Sequence, residues 1–179
     1  QELEIQLQKK LLAERNVLMQ QIRKEEVERT SLKETEYQLK LKELEKQLED
    51  QRELAEEMRR DSSVYVFGED VSLGGPFGVT KGLAEKFGVN RMVNTPISEG
   101  TVMGLAIGAA TAGLRPVVEI MFIDFITLAM DQLVNHAAKL HYMSGGQLKI
   151  PLTVRVQCGI SGAMGAHHSQ SLEAWLAHV

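Results

Sequence analysis

Residues 91–121 read RMVNTPISEGTVMGLAIGAATAGLRPVVEIM. Two short runs rich in β-branched or other apolar residues, RMVN at 91–94 and PVVEIM at 116–121, flank an apolar stretch of helix length at 99–112. Short apolar runs of this kind are typical of buried strands. A strand, a helix and a second strand in this order predict a βαβ unit, whose two strands run parallel.

The same alternation continues on both sides of this unit. VYVF at 64–67 and LTVRV at 152–156 are two further strand candidates, and 125–142 and 169–179 are helix candidates. The pattern predicts an α/β fold, a doubly wound and mostly parallel sheet over residues 59–179. Because the chain stops after a helix candidate with no following strand, we expect this domain to be incomplete at its C-terminal end.

The first 58 residues differ from the rest in composition. They contain no glycine and no proline and are rich in Glu, Gln, Lys, Arg and Leu, which predicts one long helix over 1–58. Apolar residues recur at steps of three, four and seven, which favours a coiled-coil seam; they are Leu7, Leu11, Leu18, Ile22, Leu41, Leu44, Leu48, Ala55 and Met58. The two runs do not share one heptad register, which a stutter or two short coils would account for. A single solvated helix is the alternative.

Charge and cysteine content exclude several classes of function. The net charge is −4, and residues 1–60 carry 13 basic against 15 acidic side chains, so neither half offers a basic patch for nucleic acid. No apolar run reaches the roughly 18 residues of a membrane span. The one cysteine, Cys158, has no intramolecular partner, and we expect an inert thiol in a reducing compartment.

Glu99 is the first candidate for chemistry. It follows a predicted strand end, a proline and a possible helix cap at Ser98, and in open α/β sheets ligands bind at the carboxyl ends of strands. Its neighbours Ile97, Val102 and Met103 are apolar. A glutamate that serves only the start of a helix is the structural alternative.

The second candidate lies in GAHHSQS at 165–171, a loop between a strand and a helix. A histidine in such a loop is often structural, and the spacing of a metal site is missing. Ser169 lacks the nucleophile elbow that would pair it with His168 in nucleophilic catalysis. The glycine pairs of the sequence do not fit a phosphate-binding loop either.

Taken together, the motifs of residues 54–179 resemble one family. They are GEDV at 68–71, GVTKG at 78–82, TPISE at 95–99, GLRP at 113–116, EIMFIDF at 119–125, DQ at 131–132, YMSGG at 142–146 and HSQSLEAW at 168–175. This series resembles the beta subunit of the thiamine-diphosphate-dependent dehydrogenase component of pyruvate, branched-chain 2-oxo acid and acetoin dehydrogenase complexes. The resemblance implies the pyrimidine-binding domain of a transketolase-like fold.

The resemblance also implies roles for individual residues. Glu99 matches the general acid/base that contacts the aminopyrimidine ring, and His168 matches a catalytic histidine of the active-site channel. Phe125, Glu69 and Ile97 are the further cofactor-binding candidates that it implies. The backbone carbonyl of Leu152 matches a ligand of a structural potassium ion in some relatives.

Cofactors and partners follow from the same resemblance. It implies thiamine diphosphate, with magnesium held mainly by an alpha subunit in a heterotetramer, and acyl transfer to the lipoyl groups of an acyltransferase core. We expect this chain alone to be inactive, and we expect the bacterial cytoplasm or else the mitochondrial matrix as its compartment. The sequence does not select among the three substrates. The alternative is a coiled-coil structural or fusion protein whose second half is a catalytically silent passenger.

Overall fold

The structure is a computed structural model that describes residues 2–159 and 164–179, and it divides the chain into two compact units, Gln1–Lys46 and Gln47–Val179. Helix α1 spans Glu2–Arg60, two residues beyond the predicted end, and Gln1 lies outside the described residues. The absence of glycine and proline explains the uninterrupted helix, since nothing in this stretch disfavours helical backbone.

The second unit contains a four-stranded sheet. Its strands are β1 (Val64–Gly68), β2 (Met92–Asn94), β3 (Arg115–Phe122) and β4 (Thr153–Gln157). Their order in the sheet is β2-β1-β3-β4, and all three pairings are parallel. This arrangement confirms the predicted α/β fold class with a parallel sheet.

Helical segments follow the strands. Those between strands are α2 (Leu83–Phe87), a 3-10 helix at Val89–Arg91, α3 (Glu99–Thr111), a 3-10 helix at Ile123–Ala129, a π-helix at Gln132–Ala137 and α4 (Ala138–Met143). After β4 come a 3-10 helix at Ala166–His168 and α5 (Glu173–Leu176). The predicted helix over 125–142 is therefore helical but of mixed type. The candidate over 169–179 shortens to the four residues of α5.

Two hydrophobic clusters cover opposite faces of the sheet, because successive side chains of a strand point to opposite sides. Phe67 and Val118 pack with α3 and the 3-10 helix, whereas Val64 and Val66 pack with α2 and the last turns of α1. Segments on both faces make the sheet doubly wound.

The last turns of α1 belong to this second unit. Ala55 and Met58, which the sequence assigned to the coiled-coil seam, are buried against the sheet, and Met58 is only 1% exposed. The assignment of these two residues to an exposed seam was therefore wrong: the same spacing of three and four residues serves a coil seam and a helix face that packs on a core. The compact unit accordingly starts at Gln47, twelve residues before the expected boundary at 59.

The first unit is a helical segment whose apolar side chains are exposed. Leu11, Leu18, Ile22, Leu41 and Leu44 are all about half exposed or more, and the side chain of Leu7 is not among those described. None of the described helices combines the length and the apolar character needed to cross a bilayer.

Candidate active site

The candidate site residues converge on one edge of the sheet. In a parallel sheet all carboxyl ends lie at the same edge, and each strand here is followed by one candidate. Glu69 follows β1, Glu99 follows β2 and opens α3, Phe125 follows β3, and His168 lies in the connection after β4. The fold therefore collects at one edge residues that are up to 99 positions apart in sequence.

The crevice at this edge lies between β1 and β3. The connection after β1 packs on one face of the sheet through α2, and the connection after β3 packs on the other face. Chain segments that leave neighbouring strands on opposite faces open a cleft at their carboxyl ends, where ligands bind in open α/β sheets. At the end of β1, a side chain on Gly68 would meet the carbonyl oxygen of Glu119 at 2.8 Å, so the close approach of β1 and β3 requires glycine.

Three carboxyl groups lie near one another at this edge. Partial burial raises the pKa of Glu69 above its ordinary value, and the negative charges of Glu99 and Asp70 raise it further. Asp70 adopts a left-handed backbone conformation with φ 51°, which turns the chain directly after Glu69. Glu69 is therefore the carboxyl group in this cluster whose surroundings favour the protonated form.

The segment before α3 holds Glu99 at the cleft. The backbone N–H of Thr95 donates to the carbonyl of Gly68 at 2.9 Å, which ties this segment to the end of β1. Ser98 occupies the N-cap position, but its hydroxyl donates to Thr101 Oγ1 at 2.8 Å rather than capping the helix. The buried hydroxyl oxygen of Thr95 has no hydrogen-bond partner within residues 2–159 and 164–179.

A cluster of rings forms the apolar wall of the site. His168 lies edge-on to Phe122 and Phe125, with ring centroids 4.8 and 5.3 Å apart. Phe122 also contacts Phe77 edge to face, with centroids 5.5 Å apart. Such pairs stabilise the arrangement beyond the area that they bury. Sequence reasoning predicted Phe125 and His168 but missed Phe77 and Phe122, since only the fold brings the loop after β1 to the end of β3.

Two predicted residues do not join this cluster. Ile97 is 78% exposed, so it does not enclose Glu99. Leu152 immediately precedes β4 and therefore lies at the amino end of the sheet, opposite to the carboxyl edge. The role of its carbonyl as a potassium ligand stays a prediction.

The part of the chain that the structure describes offers no group of three or more His, Cys, Asp and Glu residues suited to a metal ion. Cys158 is free and exposed, directly after β4. The raised pKa of Glu69 and the ring cluster favour proton exchange at a carboxyl group near an aromatic wall.

Comparison with known proteins identifies the family. The family described as the transketolase pyrimidine-binding domain matches residues 49–179. The chain belongs to this family. The match begins inside α1, eleven residues before the end of that helix, in agreement with the burial of its last turns. The resemblance and the fold predicted from the sequence are both confirmed.

Three relatives of this chain are named as beta subunits of the pyruvate dehydrogenase E1 component. Over 127 residues it is 51% identical to the "Pyruvate dehydrogenase E1 component subunit beta" of Chaetosphaeridium globosum and 49% identical to the protein of that name from Rickettsia conorii. It is 50% identical over 127 residues to the chloroplastic subunit beta-4 of Oryza sativa subsp. japonica. Each match covers 70% of this chain, but 39%, 39% and 32% of the respective relative. The chain thus spans about a third to two fifths of the length of these three relatives.

Proposed function

We propose that this chain is the pyrimidine-binding part of the beta subunit of a thiamine-diphosphate-dependent 2-oxo acid dehydrogenase of the pyruvate dehydrogenase type. The observation that carries the proposal is the pairing of Glu69 with Glu99 at the carboxyl edge of the sheet, beside the rings of Phe125 and His168. Identity of about 50% to proteins named pyruvate dehydrogenase beta subunits supports this substrate class over branched-chain 2-oxo acids and acetoin.

The described residues fit the aminopyrimidine end of thiamine diphosphate. A neutral heteroaromatic ring calls for an apolar wall and for a carboxyl group that can exchange a proton with a ring nitrogen, and both are present. The diphosphate end fits poorly, because Glu69, Asp70 and Glu99 bring negative charge to this edge. We therefore propose that an alpha subunit holds the diphosphate and its magnesium ion.

Each residue then has a defined task. When bound, thiamine diphosphate supplies the carbon nucleophile that adds to the 2-carbonyl group of the substrate. Glu99 holds a proton at the ring nitrogen N1′ and acts as general acid and base. The negative charge of Glu99 contributes to the raised pKa of Glu69, so the two carboxyl groups lie close enough to influence each other. Phe125 packs against the ring, and His168 acts on the substrate side of the same wall.

Further partners belong to the proposal. We propose a heterotetramer with the alpha subunit, acyl transfer to the lipoyl groups of an acyltransferase core, and self-association through the exposed apolar side chains of residues 2–46. The compartment is proposed to be the bacterial cytoplasm, and the mitochondrial matrix is the second candidate.

The test of the catalytic assignment is Glu99→Gln in the subunit assembled with its alpha partner. The substitution keeps the shape of the side chain and removes the exchangeable proton, so C2 proton exchange of bound thiamine diphosphate should slow by about 10²-fold to 10⁴-fold. Glu85→Gln, at an exposed glutamate of α2, is the matched control and should exchange at the wild-type rate. Unchanged exchange in the Glu99 variant would refute the assignment.

A binding experiment tests the division of labour between subunits. Titration calorimetry of the 179-residue chain with thiamine diphosphate and magnesium should give weak or no binding, and addition of an alpha subunit should restore it. If the chain neither assembles with an alpha subunit nor supports turnover of pyruvate, a branched-chain 2-oxo acid or acetoin, the alternative stands, and the chain is a helical structural or fusion protein with a silent second half.

A further inference from the structure

A hydrogen bond joins the two connections that carry the aromatic wall. Gln170 Nε2 donates to Asp124 Oδ1 at 2.7 Å, across 46 residues of sequence. Asp124 lies two residues after the end of β3 and next to Phe125, and Gln170 lies two residues after His168. We propose that Asp124 and Gln170 are positioning residues, which together fix the ring of His168 in the site. The catalytic consequence of this positioning rests on the proposed function.

Asp124 is a buried anchor. It is only 7% exposed, and its own backbone carbonyl accepts the hydroxyl of Thr127 at 2.8 Å, which holds the first turn of the 3-10 helix. Within residues 2–159 and 164–179 no basic side chain forms a salt bridge with its carboxylate. A buried carboxylate needs a donor, and Gln170 provides it. Packing in the core therefore sets the position of Asp124. Gln170 is exposed, and its side chain is held by the hydrogen bond to Asp124.

Gln170 is held at two points. Its side chain reaches Asp124 after β3, and its backbone carbonyl accepts the N–H of Gly159, just after β4, at 2.8 Å. The same residue thus joins the exits of two neighbouring strands. Two attachments at one residue limit the freedom of the segment 164–170, which we call the histidine segment.

The ring of His168 depends on this attachment for its orientation. In the described part of the chain its ring nitrogens accept or donate no protein hydrogen bond, and the backbone N–H of His168 bonds only locally, to Gly165 at 3.2 Å. The contacts of the ring are the edges of Phe122 and Phe125, at interplanar angles of 88° and 87°. These edge contacts require the backbone of the histidine segment to stay beside Phe122 and Phe125, so the anchored segment keeps the ring against this wall.

The hydrogen bond between Asp124 and Gln170 could stabilise the fold alone or could also position the ring of His168. The environment of that ring distinguishes the two roles. Rings packed edge-on to two aromatic neighbours have chemical shifts displaced by ring currents. We therefore propose NMR of the 179-residue chain labelled at histidine Cε1, with the signal of His168 assigned by its absence in His168→Gln. The other four histidines provide the internal reference.

Three variants separate the outcomes. Asp124→Ala should return the His168 signal to the range of exposed histidines, and Asp124→Asn should keep its displacement, because an amide oxygen still accepts from Gln170. Gln170→Ala removes the same bond from the exposed side and should also lose the displacement. This variant remains a test if Asp124→Ala does not fold. Asp131→Ala, at an exposed acid of the same helical connection, is the matched control and should leave the signal in place.

The results decide the inference separately from the proposed function. A His168 signal that stays displaced in Gln170→Ala and Asp124→Ala overturns the positioning role, and so does equal loss in Asp124→Asn and Asp124→Ala. The NMR result needs no cofactor, so it stands even if the assembled protein is not a dehydrogenase. If it is one, Gln170→Ala should lower kcat by up to about 10²-fold, as expected for a misplaced catalytic group, with a smaller change in KM.

Discussion

Replacement of Arg155 by methionine should destabilise the Gln47–Val179 unit by about 3 kcal/mol at neutral pH. Arg155 on β4 bonds with two carboxylates on the face of the sheet covered by α1, Glu119 on β3 and Asp50 on α1, the latter at 3.0 Å. Methionine keeps much of the aliphatic length of the side chain and removes the guanidinium group. The two carboxylates would then face each other without a cation.

The exposure of the three side chains sets the magnitude. Breaking a buried ion pair by removing one partner costs about 3–5 kcal/mol, and the side chain of Glu119 is only 6% exposed. Arg155 and Asp50 are 26% and 32% exposed, so water weakens their part, and an exposed pair contributes no more than about 1 kcal/mol. The loss of stability in Arg155→Met is therefore expected at the lower end of the range for buried ion pairs. Almost all of this loss comes from the unpaired charge of Glu119.

The pH dependence follows from the direction of the shift. Burial raises the pKa of Glu119 above 4.5 and the charge of Asp50 adds to this, while Arg155 opposes both. A raised folded-state pKa means that protonated Glu119 contributes stability below pH 4.5 and that this contribution is lost as pH rises through the folded-state pKa. Without Arg155 that pKa rises further. The cost of Arg155→Met should therefore shrink as the pH is lowered from 7.5 toward 4.5.

Urea unfolding of four proteins measures these effects: wild type, Arg155→Met, Glu119→Gln and the double variant. The double variant has no unpaired charge at the buried position 119, and only the more exposed Asp50 loses its partner, so it should be more stable than Arg155→Met. A double variant that is less stable than Arg155→Met, or a cost of Arg155→Met that is the same at pH 7.5 and pH 5, would show that the charge of Glu119 is not the cause.

Three further predictions concern the helix and the carboxyl cluster. Met58→Ala should cost about 2–5 kcal/mol in urea unfolding because Met58 fills the core, whereas Glu56→Ala, at an exposed position of the same helix, should change stability by less than about 0.5 kcal/mol. A peptide of residues 1–46 should sediment as an oligomer with helicity that rises with concentration, and a monomer of constant helicity would contradict the coil. Glu99→Gln should lower the pKa of Glu69 toward its ordinary value, since it removes one neighbouring charge, and carboxyl NMR titration measures this shift.

The strands could be predicted from sequence because short apolar runs of this kind are typical of buried strands. The predicted strand over 64–67 is Val64–Gly68 in the structure, and the predicted strand over 116–121 is Arg115–Phe122. The place of Glu99 at the start of a helix was predicted for the same local reason: a strand end, a proline and a helix start occur within a few residues. Local patterns were sufficient wherever the structure depends on neighbours in sequence.

The structural features that could not be predicted from sequence depend on contacts between segments that lie far apart in the chain. The stripe that includes Met58 has the spacing of a coil seam, and only the sheet beneath it makes it a core residue. Phe77 and Phe122 meet across 45 residues, and Asp124 and Gln170 across 46. No spacing rule reports such pairs, since their meeting depends on the strand order β2-β1-β3-β4.

The distribution of arginines explains why this site suits one end of a charged cofactor. One arginine can donate two parallel hydrogen bonds to a phosphate group, which makes it a common phosphate-binding residue. Residues 61–179 contain three arginines. Arg91 donates to the backbone carbonyls of Asp61 and Val64, Arg115 begins β3, and Arg155 is engaged by two carboxylates. The first two serve the amino ends of the strands and the third the face covered by α1, so none is placed to bind phosphate at the carboxyl edge. These three arginines do not offset the negative charge of Glu69 and its acidic neighbours at that edge, which supports the proposal that the site takes the neutral ring and not the diphosphate.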